Sequence, residues 1–244
     1  MGAVYFKELS AFLSSLIGYV VITVFLLLTG LFMWVFKATS ILDYNYAGMD
    51  QLFSIAPMVF TFLIPAVTMR SFAEEKQYGT IELLTTKPLT DFQIILGKYF
   101  ASFTLVAFAL IPTLIYFYSV YQLGSPKGNL DIGATVGSYI GLFFLAAIFV
   151  AIGIFCSSLS RNQIVSFLLA AFLCFFMHWV FDYLSVLPIF FGKLDYLVQQ
   201  LGINHHYMSI SKGKIDSRDV IYFISIISLF LWFTYVVLSK RKWV

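Results

Sequence analysis

The stretch ATVGSYIGLFFLAAIFVAIGIFC, Ala134 to Cys156, contains no Asp, Glu, Lys or Arg. A helix needs about 20 mainly apolar residues to cross the hydrocarbon core of a bilayer. In water this one would have no polar face to turn outward. Comparable runs lie on either side of it, at Leu16–Phe36, Leu52–Met69, Gly97–Val120, Ile164–Leu184 and Val220–Leu238. The 244-residue chain is 61% hydrophobic and only 11% charged. Soluble domains carry about 25% charged residues, and so few here cannot clothe a water-soluble globule. The reading is an all-α integral membrane protein with six transmembrane helices, forming one transmembrane domain over residues 1–244. Its 19% aromatic content suits lipid-facing helices and their interfacial belts.

Composition also excludes function classes. A net charge of +3, with lysines scattered at helix flanks, gives no footprint for nucleic acid. Cys156 and Cys174 both sit inside apolar runs, so no disulfide framework or Cys-based metal site is readable. The first run is too long for the core of a signal peptide and no A-x-A-like site follows it, so it is read as a retained span. Six spans put both termini on one side. Lys7, Arg70, Lys76, Lys87, Lys98, Arg161 and the cluster Lys240-Arg241-Lys242 fall on that side, against Lys37, Lys127, Lys193, Lys212, Lys214 and Arg218 opposite. The positive-inside rule then makes both termini cytoplasmic.

Local signals refine this. Tyr5, Phe6, Leu9, Phe12, Leu13 and Leu16 fall on one helical face, as expected of an N-terminal amphipathic helix in the interface or of a plain extension of the first span. Thr90-Asp91-Phe92-Gln93 and Ser160-Arg161-Asn162-Gln163 both read as capping boxes. Asp216 is placed to cap the last helix. Gly133, Gly137 and Gly141 form a small-x-x-x-small ladder for close helix contact, within the subunit or to another.

No phosphate-binding loop, G-x-S-x-G or H-E-x-x-H motif occurs. His178 and Asp182 stand four residues apart in the fifth span, spaced to pair or to share a proton or a metal, for a role in transport or a structural one near the membrane surface. His205-His206 reads as a surface pair. Arg70–Lys98 is unlike an ordinary loop: a short amphipathic helix over its first part, a stop at Pro88, and a new helix from Thr90. Gly79 there marks a bend or a close contact. On physics alone this connecting segment is solvated or is a docking element.

Glu75-x-x-x-Gly79-Thr80-x-Glu82-x-Leu84, then Lys87-Pro88-Leu89 and Gly97-Lys98, resembles the signature region of ABC-2 type transporter permeases. The opening Phe6-Lys7-Glu8-Leu9 and the closing Lys212–Phe223 segment are similar too, so the likeness covers nearly the whole chain. Within the family the chain is most similar to the gliding-motility-associated ABC transporter permease subunits of Bacteroidetes. The resemblance implies a subunit of the bacterial inner membrane with no catalysis of its own, and ATP and Mg bound at a partner ABC ATPase subunit. It implies a coupling helix over about residues 72–84, with Glu74, Glu75, Tyr78, Gly79, Thr80 and Glu82 in contact with that ATPase. It makes the N-terminal segment a connecting helix beside the coupling helix, and residues 185–219 partly helical within the outer leaflet.

The chain departs from larger family members, which carry a big soluble domain between their first two spans. A second permease-like subunit with an extracytoplasmic domain is therefore the expected partner, in a heteromeric complex. Two other classes stand against this reading. An ion-coupled secondary transporter needs charges near the bilayer midplane, and these spans hold almost none. A non-transporting membrane scaffold is the other, a motility subunit that anchors or energises other proteins instead of moving a solute.

Overall fold

The computed structural model describes residues 1–44, 46–80, 88–188, 192 and 194–240. Every regular element among them is helical, and six helices are long and apolar enough to cross a membrane. Helix α1 (Gly2–Ser14) precedes α2 (Leu16–Trp34), and Ser15 in extended conformation separates them. The N-terminal segment is therefore a helix of its own. Its face is not uniform: Val4 and Phe12 turn into the protein, whereas Phe6, Leu13 and Leu16 are exposed.

After the short α3 (Ile41–Tyr44), α4 (Asp50–Thr68) runs on through Met69, itself helical, into α5 (Arg70–Gln77). The third span is longer than its apolar run, starting at the Thr90 capping box and breaking near Pro112 into α6 (Asp91–Leu110) and α7 (Thr113–Leu123). Proline cannot donate to the ladder and its ring clashes with the preceding turn. Next come α8 (Ile132–Leu159), α9 (Gln163–Phe175), a π-helical turn (Phe176–Val180) and α10 (Phe181–Ser185). The second expected box does not form: Asn162 caps α9 through Ile164 N, and Ser160 Oγ accepts from Asn162 N. Two short helices follow, α11 (Asp195–Leu201) and α12 (Ile203–Ser211), before α13 (Ser217–Lys240), where Asp216 Oδ1 caps Arg218 N at 3.0 Å.

Helix α8 is the axis of the bundle. It packs on α4, α6, α9, α12 and α13, and 78% of its most apolar stretch is buried, against 22% for the last span. Its small residues make this possible. A Cβ on Gly137 would lie 2.4 Å from the Ile210 carbonyl, and one on Gly141 would lie 3.1 Å from the Tyr207 ring. The glycine ladder thus seats α12 of the same chain.

Pro57, inside α4, removes the hydrogen bond that the Phe53 carbonyl would otherwise accept. Tyr207 on α12 donates to that carbonyl at 2.7 Å. A backbone group orphaned in an apolar layer is thereby satisfied.

Candidate functional site

The polar centre of the molecule lies where α1, α5 and α6 meet, at the end of the bundle that carries both termini. Lys98, on α6, has a side chain 2% exposed. Its ammonium donates to Glu75 Oε1 at 2.7 Å, to Glu8 Oε1 at 2.9 Å and to the Ser71 carbonyl at 2.6 Å. An ammonium has three donors, and all three are used. The Phe72 ring lies below it, 5.1 Å from the nitrogen, an arrangement that adds attraction between cation and ring. Lys7 approaches Glu8 at 3.4 Å and Glu75 at 3.7 Å from the exposed side, where such pairs contribute little. Sequence spacing gave no hint of this knot, because Glu8 is 90 residues from Lys98.

A second clamp holds the elbow between α4 and α5. Ser157 Oγ, on α8, accepts from Phe72 N at 2.9 Å and Ala73 N at 3.1 Å, and donates to the Met69 carbonyl at 2.9 Å. Lys76 donates to the Ser158 carbonyl. One turn earlier Gly153 lets α4 approach so closely that a Cβ there would stand 2.0 Å from Thr68 Oγ1.

The expected helix over residues 72–84 is corrected accordingly. Its described part begins earlier, at Arg70, as the continuation of α4, and α5 extends to Gln77, with residues 81–84 of the expected helix outside the described residues. Gly79 adopts φ +69°, a left-handed conformation that suits glycine and terminates helices, with open space where its Cβ would be. Glu82 and the rest of residues 81–87 lie outside the described residues. Of the others, Tyr78, Gly79 and Thr80 are exposed, Glu74 is half-buried, and Glu75 is folded inward on Lys98.

The other pair is not brought together. The π-helical turn carries His178 into the interior, 2% exposed, and no hydrogen bond reaches either ring nitrogen. Asp182 accepts instead from Asn204 Nδ2 at 2.5 Å. His206 is buried, contrary to the surface reading: its Nδ1 faces Asp219 Oδ1 at 2.7 Å and its Nε2 faces the Gln200 carbonyl at 2.9 Å. It also stacks on Tyr222, with ring centroids 3.9 Å apart.

Among the described residues no group of His, Cys, Asp and Glu is placed to hold a metal. Fold and site together define a multi-pass membrane protein whose charged centre fixes helices to one another. The chain belongs to the ABC-2 family transporter proteins, whose sequence pattern it matches over residues 37–233. That span runs from just after α2 into α13. Members are the membrane permease components of ABC transporters, distinct from the catalytic ATPase, and an ABC ATPase is their general partner. No curated protein matches the chain significantly.

Proposed function

We propose that this chain is a permease subunit in which the helical end Arg70–Gln77 and the turn Tyr78–Thr80 form the coupling element for an ABC ATPase. The observation that carries this is the elbow: a helix continuous with a span, clamped to α1, α6 and α8, that presents Tyr78, Gly79 and Thr80 outward. A docking element must be exposed at its tip and rigid at its root. Tyr78, Gly79, Thr80, Glu74 and Glu82 make the contact in this reading, while Glu75 transmits it through Lys98 to α1 and α6. Closure of the ATPase on ATP and Mg then favours one membrane conformation over another by its differential affinity for the two.

The end bearing the termini is cytoplasmic in this reading, in a bacterial inner membrane. Only residues 35–49 separate α2 from α4, too few for a soluble domain. A second permease-like subunit supplies any such domain, and the complex is heteromeric. The output in this reading is motility, as transport or as mechanical work, and the sequence resemblance to gliding-motility permeases supports it.

The test is purification from native membranes in mild detergent with an assay for vanadate-sensitive ATPase activity. An ATPase should accompany the chain. Tyr78→Ala combined with Thr80→Ala or Glu82→Ala should weaken its retention, and Glu75→Gln should leave retention intact while lowering coupled work. A chain that purifies alone and stable, with no ATPase, would sink the proposal.

A further inference from the structure

Near the opposite end of the bundle a cavity of about 370 Å³ opens between α4, α8, the π-helical turn and α12. Its lining includes Asp50, Ser54, His178, Trp179, Asn204 and Lys212. Small-molecule sites start at about 300 Å³ and combine an apolar wall with a few convergent polar groups. His178 is the unusual member. It stacks on Trp179 with centroids 4.2 Å apart and meets the edges of Phe149 and Tyr207, yet neither ring nitrogen has a hydrogen-bond partner. Buried polar side chains are normally satisfied, and a phenyl ring would fill the same space without that cost. A π-helical turn of this kind often marks a functional site.

The charges at the cavity complete the chemistry. Within the described residues neither the Asp50 carboxylate nor the Lys212 ammonium enters an ion pair. The cavity therefore has a carboxylate and an ammonium among its lining groups, with the unsatisfied His178 imidazole buried in its wall.

We propose that this cavity binds a zwitterionic head that joins a primary ammonium to an oxyanion, ethanolamine phosphate being the simplest. Asp50 takes the ammonium, Lys212 takes the oxyanion, and His178 bonds the part that reaches deepest. The source is a free solute or the head group of a lipid, and the proposal does not depend on ATPase coupling.

The experiment uses the full chain in nanodiscs of phosphatidylglycerol. Phosphoethanolamine is titrated in one arm. In the other, phosphatidylethanolamine is mixed with phosphatidylcholine and the retained lipid is identified by native mass spectrometry. Saturable binding of phosphoethanolamine, weakened at least tenfold in His178→Phe and in Lys212→Ala, supports the site with a free solute as ligand. Selective retention of phosphatidylethanolamine, lost in the same variants, supports it with a lipid as ligand. Lys212 is exposed, so its variant reports binding even where His178→Phe perturbs folding. Binding of neither probe, binding unchanged in both variants, or inorganic phosphate binding as tightly as phosphoethanolamine would overturn the proposal.

Discussion

Lys98 is the residue on which the terminal end of the molecule depends. Replacing it by methionine leaves Glu8 and Glu75 facing each other with no buried cation between them. Breaking a buried pair from one side costs about 3–5 kcal/mol. Lys98→Met should therefore lower the thermal midpoint and speed proteolysis of α1, and adding Glu75→Gln should recover part of the loss, because the two sites are coupled. At the other end, burial pushes the His205 imidazole down from its ordinary value, with the neighbouring His206 acting in the same direction. The unfolded chain then binds more protons than the folded one below the ordinary value of about 6.5. Stability should fall as pH drops from there toward the depressed folded value, and His205→Gln should flatten that slope in thermal melts. Little of this was legible. Pro57 announces that the Phe53 carbonyl lacks a partner, but nothing local says that Tyr207, 154 residues away, supplies it.

Elements were more legible than their joints. Each apolar run became a helical span, the third and fifth of them interrupted, and the Thr90 box and the Asp216 cap stand where their residues call for them. The misplaced boundaries have local causes. Gly79 follows α5 in a left-handed conformation, which releases the chain from that helix. The π-helical turn that carries His178 breaks the regular period of 3.6 residues on which its pairing with Asp182 was expected. Two variants test the elbow. Ser157→Ala strands two amide donors and a carbonyl, each costing about 1–3 kcal/mol if left unmet; hydrogen exchange in residues 70–77 should accelerate. Gly153→Val should force α4 off α8 and destabilise the protein by about 1–3 kcal/mol. Thr68→Ala should relieve this only partly, because the Thr68 Cβ itself lies 2.8 Å from where the new Cβ would be.

For the molecule as a whole, the axis and the rim could not be told apart by hydropathy. Helices α2 and α8 are equally apolar, yet 28% of one and 78% of the other is buried. Small residues, not apolarity, mark the centre, because they let backbones approach where lipid gives no hydrophobic drive between helices. Orientation is a property of the whole chain and can be measured as one. The native Cys156 and Cys174 are buried, so a membrane-impermeant maleimide should report single cysteines placed at Thr80 and Lys214. In intact cells Lys214→Cys should label and Thr80→Cys should not; the reverse pattern would invert the assignment. The continuity of α4 with α5 has a mechanical meaning as well. From the contact of Thr68 with Gly153, the 8 residues of α5 reach about 12 Å one way and the 19 of α4 about 28 Å the other, at about 1.5 Å per residue. Were the two to rock about that point as one rigid body, they would act as a first-class lever with its fulcrum off centre, and a displacement of 1 Å at the short arm would become about 2 Å at Asp50.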